Sequence, residues 1–131
     1  MNKLSKDDKL LIAEALKVRK NAYAPYSKFK VGAALLGRSG KIYAGCNVEN
    51  ATYGATICAE RSAVSKAVTD GERSFKKIAV VADMKEPCPP CGICRQILFE
   101  FSPNMKVIMV NLKGKTKIIE LKKLLPSAFR L

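Results

Sequence analysis

Three cysteines in two short motifs constrain this chain more than anything else in it. They are Cys58 in Cys58-Ala59-Glu60, and Cys91 and Cys94 in Pro90-Cys91-Gly92-Ile93-Cys94. There is no histidine. A fold that gathers the three thiols forms a metal site one ligand short of tetrahedral, with a carboxylate two residues from the first ligand. Three protein ligands, an open position and an adjacent carboxylate describe hydrolytic zinc. Without imidazole, Glu60 is the leading candidate for proton transfer near neutral pH.

The spacing supports a shared ion. Cys91 and Cys94 are three apart at a predicted helix start, where two such side chains share a face. Cys58 also stands at a predicted helix start. Two helix N-termini aimed at one point help to stabilise thiolates. Arg61 and Arg95 follow the ligand segments closely enough to donate to the sulfurs. Other readings stay open on spacing alone. A lone Cys-x-x-Cys also suits a redox pair or a structural knuckle. Cys88, three residues before Cys91, could close a four-cysteine structural site. Against that, Cys88 precedes two prolines in a segment that cannot be helical, and a closed site has no use for Glu60. Cys46, on a predicted strand, reads as a small buried apolar residue. Glu60 could be an ordinary exposed helix residue, since mid-helix positions two apart diverge. At a first turn it can sit beside Cys58.

The rest of the chain bounds the class. Its 131 residues fit one domain, and 48% are apolar, enough for a core. A chain this short encloses a deep pocket with difficulty, which favours help from a partner subunit. The longest aliphatic stretch, Ile78 to Ala82, is too short to span a membrane. Met1 to Asp8 contains acids and no apolar signal region, so the expected location is cytoplasmic. Five cysteines then read as thiols or metal ligands. The net charge of +13 sets 18 lysines and 6 arginines against 11 acidic residues, with the lysines scattered in no run longer than two. That pattern favours a solvated surface over a nucleic-acid reader, which concentrates charge and uses Arg.

Periodicity and punctuation predict α/β. A helix is expected over Ser5–Ala22, capped by Ser5, with Asp7 and Asp8 in its first turn. A hairpin follows, from Phe29–Leu36 to Lys41–Cys46. Helices are expected at Cys58–Val68, Cys91–Phe101 and Glu120–Leu125. Strands are expected at Ile78–Ala82, Lys106–Val110 and Thr116–Ile119. The order implies a mixed sheet covered by helices.

With these motifs in view, the chain resembles the zinc nucleoside and nucleobase deaminases. It is most similar to cytidine deaminases of the small, homotetrameric three-cysteine type. The segments that carry the resemblance are Tyr26 to Ala34, Gly45-Cys46-Asn47-Val48-Glu49-Asn50, Cys58-Ala59-Glu60-Arg61, Pro90 to Gln96 and Leu124 to Phe129. The resemblance implies a single-domain three-layer cytidine-deaminase-like fold over residues 1–131, with a mixed five-stranded sheet flanked by helices. It implies one Zn²⁺ per chain on Cys58, Cys91 and Cys94, with Glu60 as proton shuttle, an acid–base role known for that class. Phe29 would pack on the pyrimidine, and Asn47 and Glu49 would hydrogen-bond the ribose. The Ala59 backbone would meet the pyrimidine carbonyl, and Phe129 would reach a neighbouring subunit's site. Arg61 would support the sulfurs from behind.

The implied reaction is zinc-dependent hydrolytic deamination of cytidine and deoxycytidine to uridine and deoxyuridine, with release of ammonia, in pyrimidine salvage. A deaminase of another cytosine-containing small molecule is the alternative, and a polynucleotide cytosine deaminase is the weaker one. Nucleosides are expected over free cytosine, because Asn47 and Glu49 would lack partners without a ribose. Cys88 and the high charge lie outside the family pattern.

Overall fold

The computed structural model describes residues 3–131; Met1 and Asn2, with which the N-terminal leader reading begins, lie outside the described residues. Five strands form one sheet in the order β2-β1-β3-β4-β5. They are β1 (Val31–Gly37), β2 (Ile42–Cys46), β3 (Phe75–Ala82), β4 (Lys106–Asn111) and β5 (Thr116–Glu120). All neighbours run antiparallel except β3 and β4, which are parallel. The parallel pair needs a crossover, and α3 (Gly92–Phe101) supplies it. The other helices are α1 (Lys6–Arg19), α2 (Ala59–Thr69) and α4 (Leu121–Leu124). The expected mixed five-stranded sheet between helical layers is the observed architecture.

The two faces of the sheet are covered unequally. On one, Leu11 and Ala15 of α1 pack with Ala34, Leu36, Ala79, Val81, Ile108 and Val110. On the other, Ala63 and Ala67 of α2 and Leu98 of α3 meet Leu35, Ile78, Val80 and Val107. β1 is covered on both faces, so all seven of its residues are buried. β2, at the edge, alternates instead.

Two glycines set the helices close to the sheet. A Cβ on Gly32 would lie 2.0 Å from the Ala15 carbonyl oxygen in α1. A Cβ on Gly45 would lie 2.5 Å from the Ala63 nitrogen and 2.8 Å from the Ala59 oxygen. The second contact seats the first turn of α2 directly on β2. Ser5 caps α1 as expected, in a reciprocal pair with Asp8, an arrangement that stabilises by about 1 kcal/mol.

Three boundaries differ from the sequence reading by more than one residue, each through tertiary contacts. α1 ends at Arg19 rather than Ala22, because Tyr23 turns out to bridge Val48, with backbone bonds to Asn47 and Glu49. β3 begins at Phe75 rather than Ile78, because Ser102 Oγ accepts the Phe75 N–H at 2.8 Å. β1 begins at Val31, leaving Phe29 outside the strand after Lys28, whose φ is +61°.

Candidate metal centre and substrate pocket

The two predicted helix starts converge. Cys58 is the N-cap of α2 and Cys91 the N-cap of α3, with Cys94 in the first turn of α3. Cys58 Sγ lies 3.8 Å from Cys91 Sγ, which lies 3.4 Å from Cys94 Sγ. All three sulfurs are within 4.8 Å of one another. Zinc–sulfur bonds of about 2.3 Å at tetrahedral angles put sulfurs about 3.8 Å apart, so this donor set has the spacing that one zinc ion needs. The Cys58 thiol is lowered to about 6, by hydrogen bonds from Cys94 and then Cys91 and by the charge of Arg61. Cys94 is pushed up by its bond to the Cys58 sulfur and by burial. Of the coupled pair Cys58 and Cys94, Cys58 is the one favoured as thiolate.

Cys88 stays apart from this cluster. It is buried, and burial, with the neighbouring acidic groups, raises its thiol to about 11.

Glu60 is 5% exposed in the first turn of α2. Burial lifts its carboxyl to about 7, with the Cys58 thiolate adding to the effect. The reading of Glu60 as an exposed helix residue is thereby excluded. Glu60, Cys58, Cys91 and the Ala59 backbone line a cavity of about 170 Å³, with Phe29, Asn47 and Cys88 on its other walls. Phe29 is partly exposed, as a ring at a pocket mouth is, rather than buried as core. A wider hollow of about 370 Å³ is lined by Tyr26, Ser27, Glu49, Tyr53 and Thr56, and Thr56 borders both spaces. The sequence reading assigned nothing to Tyr26, Tyr53 or Thr56. Their one signal in the sequence was that Tyr26 is the first residue of a matched segment.

Asn47 and Glu49 correct one expectation. Neither waits for a partner. Asn47 is buried; its Nδ2 donates to the Phe29 carbonyl at 2.8 Å and its Oδ1 accepts the Val31 N–H at 2.9 Å. Glu49 accepts from the Ser27 hydroxyl and from the backbone N–H groups of Tyr26 and Ser27, at 2.9 and 3.1 Å. The Ser27 hydroxyl in particular holds the Glu49 carboxyl below its usual range.

Residues 5–111 match the family model described as the cytidine and deoxycytidylate deaminase zinc-binding region. The chain belongs to that family.

Among its relatives is a cytidine deaminase of Sporosarcina psychrophila, 56% identical over 94% of this chain and 91% of that one. Another, from Halalkalibacterium halodurans, is 52% identical over 94% of both. The crystal structure of a Burkholderia pseudomallei cytidine deaminase superposes with a TM-score of 0.91 at 45% identity. It covers 96% of this chain and all of that one. A Mycobacterium tuberculosis cytidine deaminase gives a TM-score of 0.82 at 36% identity, over 97% of this chain and all of the other.

Three further residues of this deaminase-family chain complete the comparison with the sequence reading. Arg95 does not spend Nε and Nη1 on the sulfurs; both go to backbone carbonyls, of Pro90 and Leu124. Cys46 is half-buried on β2 rather than fully buried. Phe129 is exposed, with its carbonyl accepting from Gln96 Nε2 at 3.0 Å, while Arg130 lies over the Phe99 ring. No helix among the described residues is long and apolar enough to cross a membrane.

Proposed function

We propose that this protein hydrolyses cytidine and deoxycytidine to uridine and deoxyuridine, releasing ammonia. The observation that carries the proposal is the position of Glu60. A carboxyl group held near neutrality by burial shares a 170 Å³ pocket with two of three clustered thiols and an aromatic ring. The names of the relatives point the same way.

Cys58, Cys91 and Cys94 would hold one zinc per chain. Zinc so bound supplies a water whose pKa falls from about 15.7 toward 7. Glu60 moves the protons. Its carboxylate accepts one from the water and delivers it to pyrimidine N3, which makes C4 electrophilic. Water oxygen adds to C4, Glu60 carries the second proton to the exocyclic nitrogen, and ammonia leaves. A carboxyl group with a pKa near 7 can both accept and return a proton at physiological pH. The free N–H of Ala59, at the N-terminus of α2, would orient the pyrimidine carbonyl. Phe29 would pack on the ring. Arg61 offsets thiolate charge from behind.

The second hollow favours a nucleoside over a free base. It opens beside the inner pocket at Thr56 and presents Glu49 where a sugar would sit, with Asn47 closing the boundary. Since both side chains are already bonded, they act as a preformed wall that a ribose joins. The partly exposed Glu49 carboxylate also disfavours phosphorylated substrates and nucleic acid.

The working unit in this proposal is one 131-residue domain, cytoplasmic, assembled as a homotetramer with sites completed across subunits. Tyr26 and Tyr53 at the outer hollow, Ile93 between two of the cysteines and Phe129 in the C-terminal segment are large and exposed, apolar side chains that a second copy would cover. An ammonia-release assay on cytidine, deoxycytidine, cytosine and a cytosine-containing single-stranded oligonucleotide tests the reading. Nucleosides should react and the other two should not. Comparable efficiency on the oligonucleotide would replace it with an editing enzyme.

A further inference from the structure

Arg95 joins two parts of the chain that are distant in sequence. It stands in the first turn of α3, directly after Cys94. Its Nε donates to the carbonyl of Pro90, the residue before Cys91, at 2.8 Å. Its Nη1 donates to the carbonyl of Leu124, the last residue of α4, at 2.8 Å. Both bonds are partly buried.

Each acceptor has few alternatives. Pro89 and Pro90 carry no N–H, so the Cys88–Pro90 approach to the ligand segment builds no ladder of its own. The Leu124 carbonyl is an orphan at a helix end. A planar guanidinium holds both oxygens at a fixed separation, which a flexible ammonium cannot do. Gln96, the next residue, holds the Phe129 carbonyl, so two successive side chains of α3 fasten the C-terminal segment.

We infer that Arg95 is a positioning residue that braces the Cys91 metal loop against the end of α4, so that retention of zinc depends on the Leu124 carbonyl. The inference rests on the assignment of zinc to Cys58, Cys91 and Cys94. It places the dependence at Leu124 and not at the tail beyond it.

The experiment follows zinc release to a chromophoric chelator in excess, with zinc content of the unaltered protein measured first. If the unaltered protein holds no zinc, the ligand assignment fails, and that result is distinct from a failure of the brace. Arg95→Met and Arg95→Lys should each release zinc about tenfold faster than the unaltered protein. Both are checked for fold by circular dichroism. A chain ending at Pro126 keeps Leu124 and should release zinc at the normal rate. A chain ending at Lys123 should match Arg95→Met, and combining the two should add nothing, because both remove one interaction. Normal release from Arg95→Lys, or additive effects of Arg95→Met and the shorter chain, overturns the brace. Should the Lys123 chain not fold, the Arg95 variants and the Pro126 chain still decide it.

Discussion

Asn47 donates its side-chain amide to the carbonyl of Phe29, and so ties the end of β2 to the segment that enters β1. With its oxygen on the Val31 N–H, it fixes the backbone on both sides of Lys30. Phe29 is thereby aimed at the pocket from outside the strand. Asn47→Ala should leave the buried Val31 N–H without a partner and lower stability by about 1–3 kcal/mol. It should also raise KM, as the Phe29 ring loses its anchor. Chemical denaturation and steady-state kinetics check the two effects. An unchanged KM would detach Asn47 from substrate binding.

The metal assignment separates the cysteines. Cys58→Ala, Cys91→Ala and Cys94→Ala should each lose bound zinc, whereas Cys88→Ala should retain one ion per chain. Elemental analysis of purified variants measures this. Equal loss from Cys88→Ala would revive the closed four-cysteine site.

Glu60→Gln should keep both zinc and fold, since the amide fills the same space. It cannot exchange protons, so turnover should fall by at least the 10²–10⁴-fold typical of a general acid–base group, a range that is approximate. Near-normal turnover in this variant would remove Glu60 from the reaction.

Acid stability should depend on a pair far from the site. Lys77 Nζ lies 2.7 Å from Asp8 Oδ1, joining α1 to β3. Burial by itself raises the Asp8 carboxyl, and the bonds from Lys77 and Ser5 outweigh it, so the pKa ends below its usual value. A depressed folded pKa contributes stability above the unfolded value and loses it as pH falls through the folded one. Asp8→Asn should therefore be less stable than the unaltered protein at pH 7. The gap should shrink progressively below about pH 5. Unfolding midpoints across that range measure it, and a gap that stays constant with pH contradicts the pairing.

Removing residues 127–131 should weaken assembly and catalysis together while leaving zinc in place. The deleted segment includes Phe129, exposed in the single chain, and its bond to Gln96. Light scattering and kinetics on the shortened chain give the answer. A fully active monomer would end the tetramer proposal.

The sequence by itself determined the ligand motifs and the elements that carry them. Cap residues, prolines and the three-residue spacing of Cys91 and Cys94 act within a single turn, so their effects are legible without knowing what lies opposite. Cys58 and Cys91 therefore appear at helix starts as expected, and Ser5 caps α1. The tertiary structure alone decided what those turns face. The meeting of Cys58 with Cys91 depends on how α2 and α3 lie on the sheet, and Gly45 lets α2 come that close. Burial of Glu60, the partners of Asn47 and Glu49, and the diversion of Arg95 to two carbonyls depend on residues far along the chain. Hydrogen-bond partners and desolvation are properties of the packed surroundings. A residue's identity says which bonds it can make, and only the fold says which of them it has made.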